Sequence, residues 1–273
     1  MGPADGCHDL LAMLNTDYSG VEFITASNTD PVKSTAVILW SSGTTGPPKG
    51  TMITHTNIAC SLLARSQPEV SNFTPGEEVL VGILPFFHIF GAMGMIFSGV
   101  YHGAKVVSLP NFEPEPFVKI LQDHRVITRK SQQVSSCECH SVKLTTAYAY
   151  FQPTYLHLVP PLVSFVASNP TVKRDGLKNI HTVVCGGAPS GPVLINRFLE
   201  KADKYIFFQE GYGMTETTGL SHVLLQEHKN TKINSVGHPV ASTSSKIIDL
   251  EDGRALGANQ RGEICIKGWQ VGS

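Results

Sequence analysis

Charge is scarce in this chain. Asp, Glu, Lys and Arg make up 16% of its 273 residues and nearly cancel, leaving a formal net charge of -1. Such a balance gives no long-range pull toward nucleic acid or an anionic membrane, so functions built on bulk charge are excluded. Long apolar runs are lacking too: nothing reaches the roughly 18 residues of a membrane span. The six cysteines (Cys7, Cys60, Cys137, Cys139, Cys185, Cys265) include one close pair, Cys137 and Cys139. A single Cys-x-Cys is a poor zinc or disulfide signature, which points to a reducing compartment. The opening MGPADGCHDL lacks the basic-then-apolar order of a secretory leader. The final WQVGS is not the Ser-Lys-Leu address of peroxisomal proteins.

What is present is 41% hydrophobic residues arranged as alternating short runs. Strands are expected at Thr35–Trp40, Glu78–Pro85, Ala104–Leu109, Tyr155–Val159 and Thr182–Cys185. Helices are expected at Thr54–Arg65 (N-cap Thr54 or Thr56), Phe90–Val100, Pro114–His124, Leu162–Ser168 and Pro192–Ala202. That alternation predicts a largely parallel sheet covered by helices. From about Ser235 the texture shifts to short strands and turns: Ser245–Leu250, the Asp252-Gly253 turn and Gly262–Lys267. A small antiparallel β-subdomain is expected there.

The segment with the most chemistry is Ser41–Gly50 (SSGTTGPPKG), read as a loop between the Thr35–Trp40 strand and the Thr54–Arg65 helix. Its glycines let the backbone approach a polyanion, its hydroxyls donate, and Lys49 adds charge for outer phosphates. A solvated linker would not need a buried strand before it. A Walker loop is excluded by residue identity. Counting from Gly43, its second glycine position is Pro48, and Gly50 stands where the magnesium-binding hydroxyl belongs.

This loop resembles the phosphate-binding signature of the adenylate-forming superfamily, which includes acyl-CoA synthetases, 4-coumarate–CoA ligases and luciferase. Four further segments follow in the family's order: Leu84–Gly91 (LPFFHIFG), Gly186–Pro189 (GGAP), Gly211–Thr217 (GYGMTET) and Gly262–Gly268 (GEICIKG). The resemblance covers about residues 17–268 and is similar to the 4-coumarate–CoA-ligase-like branch. It implies the helix-covered parallel sheet of the family's large N-terminal domain. It implies an acid–thiol ligase joining a small carboxylic acid to CoA at the expense of ATP through an acyl-AMP.

The roles it implies are specific. Ser41, Ser42, Gly43, Thr44, Thr45, Gly46 and Lys49 would cradle phosphates. Gly186, Gly187, Ala188 and Pro189 would pack on adenine, with Gly211, Tyr212, Gly213 and Met214 completing the nucleotide site and the Tyr212 ring stacking. Thr215 would meet the α-phosphate, and Glu216, with Thr44, would hold Mg2+. His88, which on its own reads as a core histidine, would line the acyl pocket and the thiol path; Lys267 reads as an ordinary strand lysine. A non-catalytic nucleotide-binding product and a luciferase-like monooxygenase remain alternative readings.

The organisation expected is a partial N-terminal segment at 1–34, an AMP-binding core at 35–234, and the start of a β-subdomain at 235–273. Family members continue into a ribose-binding Asp, a hinge and a small domain carrying the adenylation lysine. Without these, little adenylation is expected of this chain, in a cytoplasmic or peroxisomal setting. Val126–Gln152 breaks the pattern: its 27 residues lack apolar periodicity, and its codons can begin GT and end AG. It reads as a retained intron or a loop insertion.

Overall fold

The computed structural model describes residues 29–41, 47–122, 126–131, 144–149, 152–228 and 232–272; for 126–131 and 144–149 the description is of backbone alone. The chain divides into two units, Met1–Asp30 and Pro31–Ser273, and the account below concerns the second.

Its centre is a seven-stranded mixed sheet in the order β11-β10-β9-β8-β7-β3-β4. Strands β3 (Val79–Gly82), β4 (Lys105–Ser108), β7 (Tyr155–Leu158), β8 (Thr182–Cys185) and β9 (Phe207–Met214) run parallel. Strands β10 (Gly219–Val223) and β11 (His238–Pro239) extend the sheet antiparallel. Every residue of β3, β7 and β8 is buried, as expected for strands covered on both faces.

The pleat sorts their side chains. Leu156, Leu158, Val183, Cys185 and Phe208 join one large core with α3 (Pro114–Gln122), α4 (Pro160–Ser168) and α5 (Pro192–Ala202). Leu80, Tyr155 and Val184 point to the opposite face and pack with Phe73, Phe90 and Ala104, while Leu62 of α1 (His55–Arg65) and Met93 of α2 join a second cluster with Leu39 and Ile53. Helix α2 has three stretches in line, Ile89–Gly91, a π-wound Ala92–Phe97, and Ser98–His102.

Two expectations need correction. The strand–loop–helix reading missed a strand: β1 (Thr35–Ser41) pairs antiparallel with β2 (Lys49–Thr54), so the glycine-rich loop joins a hairpin. The reason is period two after the prolines, with Thr51 and Ile53 buried and Met52 exposed. Helix α1 starts only after β2, and its first turn is closed by a capping box. The Thr54 hydroxyl accepts from Asn57 N–H at 3.2 Å, and Thr54 N–H donates to Asn57 Oδ1 at 2.8 Å.

The second correction concerns 126–152, which carries two antiparallel strands, β5 (Val126–Ser131) and β6 (Leu144–Ala149), in a sheet of their own. At the far end, β12 (Thr243–Ile248) and β13 (Glu263–Gly268) form the small antiparallel pair anticipated there. Their bounds lie one or two residues from those expected.

Candidate functional site

The singled-out segments follow the carboxyl ends of parallel strands, where open α/β sheets place their ligands. The turn Pro85–His88 follows β3, Gly186–Pro189 follows β8, and Gly211–Met214 ends β9. They meet around Gly186: a Cβ there would lie 3.2 Å from the Gly211 carbonyl oxygen and 3.7 Å from the Phe90 ring. Gly187 takes φ +87°, which favours glycine and turns the chain sharply past the strand end. Ala188 and Pro189 are exposed beyond it.

His88 is exposed, so the core reading of this residue is wrong. It caps α2, its Nδ1 accepting from Phe90 N–H at 3.1 Å. The core histidine of this region is His157 on β7, only 7% exposed, with Phe90 edge-on to it at 5.9 Å between ring centroids.

On β9 the Tyr212 ring is half-buried and meets His222 edge-on at 6.1 Å. Ser221 Oγ donates to the Tyr212 carbonyl at 3.1 Å and contacts His222 Nδ1 at 3.1 Å, while His222 Nε2 meets Ser245 Oγ at 2.9 Å. Because the Ser221 proton is committed, His222 Nδ1 carries a proton and Nε2 accepts from Ser245. Burial lowers the His222 pKa, in keeping with that neutral form. The glycines of GYG serve packing: a Cβ on Gly213 would fall 1.9 Å from the Gly219 oxygen, and one on Gly211 2.7 Å from Leu220 Cδ1.

Beyond Met214 the turn Thr215–Thr217 packs against both strands of the β1–β2 hairpin. Thr215 is 6% exposed, and Thr217 Oγ1 donates to the carbonyls of Met214 and Gly219 at 3.1 and 2.8 Å. The Glu216 carbonyl accepts from Gly272 N–H at 2.8 Å, which fixes the backbone. Its half-buried carboxylate has no partner among the described residues.

At the hairpin mouth Ser41, 7% exposed, faces Lys49 in register, and its Oγ reaches the Lys49 carbonyl at 3.5 Å. Lys49 is exposed. The loop residues Ser42, Gly43, Thr44, Thr45 and Gly46 lie outside the described residues. An anion site at the start of α1 is not available, since Thr54 and Asn57 already occupy that turn.

Sequence reasoning missed Glu210. It is 7% exposed, and its carboxylate accepts from Ser190 N–H at 3.4 Å and Asn234 N–H at 2.7 Å. It therefore ties the end of the Gly186–Pro189 turn to the segment before β11. Also missed was a buried set that fastens α1 to the strand ends. Ser61 Oγ donates to the Thr218 carbonyl at 2.9 Å, Thr218 Oγ1 to the Gln270 carbonyl at 2.6 Å, and Asn57 Nδ2 to the Trp269 carbonyl at 2.7 Å. Spacing alone gives no sign of either.

Glycine turns, an aromatic ring, a hairpin lysine and a free carboxylate follow the strand carboxyl ends of an α/β domain, where open sheets of this class place their ligands. The chain belongs to the AMP-binding enzyme family, whose profile matches residues 10–128 and 138–273. It is 33% identical over 242 residues to a probable 4-coumarate–CoA ligase 1 of Dictyostelium discoideum, covering 89% of this chain and 38% of that one. It is 32% identical to 4-coumarate–CoA ligase 3 of Arabidopsis thaliana, over 91% of this chain and 41% of the relative. Among solved structures it resembles an O-succinylbenzoate coenzyme A synthetase from Bacillus subtilis in complex with AMP. That likeness has TM-score 0.66 and 25% identity, over 88% of this chain and 42% of the other. A long-chain-fatty-acid-CoA ligase from Archaeoglobus fulgidus shares the fold at TM-score 0.69 and 23% identity, over 89% and 44%. The chain thus spans about two-fifths of the length of these relatives.

Proposed function

We propose that this chain forms the nucleotide-binding portion of an acid–CoA ligase that activates a carboxylic acid with ATP. The observation that carries this reading is the contrast between Glu210 and Glu216. The first is saturated by two backbone N–H groups, while the second is free and sits on a turn packed against the hairpin that bears Lys49. A partnerless, half-buried carboxylate on a turn against the lysine-bearing hairpin suits a divalent cation with its phosphates, because hard cations take carboxylate and phosphate oxygens.

In this reading Tyr212 stacks on adenine against the Gly186–Pro189 turn, and Thr215 donates to the α-phosphate. The Ser41–Gly46 loop and Lys49 bind the outer phosphates. The substrate carboxylate oxygen attacks the α-phosphorus, the bond to pyrophosphate breaks, and acyl-AMP forms. The CoA sulfur then attacks the acyl carbonyl and AMP leaves, with His88 along the thiol path. Lys49 and the loop donors lower the cost of the charge that develops on pyrophosphate. Magnesium, which Glu216 and Thr44 would hold, would supply further charge neutralisation.

Calorimetry with Mg2+ and ATP tests the reading. Micromolar binding by the wild-type chain, weakened about tenfold in Glu216→Gln and in Tyr212→Ala, is expected. No ATP binding by the folded chain sinks it. Pyrophosphate release with a panel of aromatic and fatty acids then measures how much activity resides in this portion, and light emission with a luciferin would redirect the reading to a monooxygenase.

We also read 126–152 as an insertion between α3 and β7 arising from a retained intron. The break in the family match at 129–137 falls inside it, and among the described residues its strands pair with each other alone. A major transcript carrying those codons contradicts the intron origin.

A further inference from the structure

The sheet face under α1 and α2 borders a cavity of about 40 Å³. That is room for one or two waters, or for one group the size of a carboxylate. Its wall includes Arg65 at the end of α1, Ser98 of α2, Tyr155 and His157 of β7, Val184 of β8 and Leu220 of β10.

Two buried polar atoms on these side chains have no hydrogen-bond partner: Arg65 Nε and His157 Nδ1. Arg65 Nη1 donates to Ser98 Oγ at 3.3 Å, and that hydroxyl passes its own proton to the Met93 carbonyl at 2.7 Å. Among the described residues no Asp or Glu lines the cavity. Glu78, the carboxylate whose charge Tyr155 feels, is engaged by Thr154 and by His181 at 3.0 Å. Burial lowers Arg65 to about 10, which leaves it cationic at neutral pH. Burial, and then the Arg65 charge, hold His157 down at about 3, so its ring is neutral. Burial pushes Tyr155 up to about 12, so its phenol keeps its proton.

The cavity therefore carries one positive charge with no anion of its own. A guanidinium in that position is costly unless something negative meets it. It also adjoins the candidate site. Val184 lies two residues before Gly186, one pleat or about 7 Å away on the same side of the chain. The Phe90 ring neighbours both: a Cβ on Gly186 would lie 3.7 Å from it, and its centroid is 5.9 Å from that of His157.

We propose that this cavity receives the far end of the acid substrate, and that this end carries a second carboxylate bound by Arg65 Nε. The substrate class is then a dicarboxylic acid, with one carboxylate directed at the α-phosphate and the other at Arg65. A methyl-ended acyl chain would leave the guanidinium buried against hydrocarbon. This inference rests on the ligase reading given above.

The experiment is calorimetric titration of the chain, saturated with ATP and Mg2+, with matched acids of four to eight carbons: succinate against butyrate, adipate against hexanoate, suberate against octanoate. At least one dicarboxylate is expected to bind about tenfold or more tightly than its methyl-ended partner. Arg65→Met should erase that ratio, and Arg65→Lys should keep part of it. Methyl-ended acids that bind as well at every length overturn the proposal. So does a chain that binds ATP and neither kind of acid, in which case the cavity holds only water. Titration of ATP alone keeps the two readings apart. A chain that prefers dicarboxylates without binding ATP refutes the ligase reading and leaves the anion site. Should Arg65→Met fail to fold, the wild-type ratio decides by itself.

Discussion

The two ends of the parallel strands are built to opposite rules. At the amino ends of β3, β7 and β8, Glu78 is sealed, its side chain 3% exposed. It accepts from the Thr154 hydroxyl, from Thr74 N–H at 3.0 Å and from His181 Nε2 at 3.0 Å. Thr182 Oγ1 and Asn72 Oδ1 extend that network at 2.8 Å. At the carboxyl ends, Glu216 has no partner among the described residues, Lys49 is exposed and His88 is exposed. Identical residue types thus do different jobs. A carboxylate whose acceptor sites are filled by the protein holds the fold, and one left open is available to something else.

The largest expected effect is at the closed end. Glu78→Ala strands the His181 ring, the Thr154 hydroxyl and the Thr74 N–H, and should cost about 3 kcal/mol in urea unfolding. ATP affinity should stay within twofold in that variant; a parallel loss of ATP binding with unchanged stability would reverse the comparison. Next is the mirror case, Glu216→Gln, which should leave the melting temperature where it is and weaken Mg2+-dependent ATP binding about tenfold, or about 1.4 kcal/mol. Glu210→Gln tests the boundary, since that residue lies at the open end yet is satisfied like one at the closed end. It should lose about 1 kcal/mol of stability and bind ATP a few-fold less well through the displaced Ser190 turn.

A pH series gives a smaller, directional signal. Burial alone would raise the Glu78 pKa, but the bonds from His181, Thr154 and Thr74 more than compensate and hold it below its ordinary value of 4.5. A depressed carboxylate stabilises the fold fully above its ordinary pKa, and that stability is lost as pH falls through the folded value. Wild-type stability should therefore drop between about pH 5 and pH 3 more steeply than that of Glu78→Gln. Equal slopes would mean the network does not favour the charged form. Smallest of all, Lys49→Ala should weaken ATP two- to threefold, with the difference fading as salt rises, because the lysine is exposed and screened.

Much of the core was legible because its periods are plain. β7, β8, α4 and α5 fall within a residue or two of where alternation and helical spacing put them. β2 was not, since Lys49-Gly50 looks like the tail of the loop and only Thr51–Thr54 alternates. The candidate site was legible as an ordered set of motifs, but not as chemistry. Glu210 and Glu216 stand six positions apart in one segment, and only the folding of the Ser190 turn and the Asn234 segment onto the first decides which is consumed. Arg65 reads as a charge in a helix's last turn and His157 as one polar residue in an apolar strand. Their meeting in one cavity is a product of packing that no local pattern encodes.

The separateness of the β5–β6 hairpin has a consequence for the gene. Among the described residues β7 bonds to β3 and β8, and Thr154 N–H reaches the Val79 carbonyl at 3.1 Å. Lengthening a connection costs only about 0.6 kcal/mol per doubling. Two messages differing by those 27 codons would thus encode the same sheet. Splicing at this point would leave the pairing of the central sheet as it is, and the two products would differ in the closure of one connection, about 1–2 kcal/mol for a roughly sixfold change in its length.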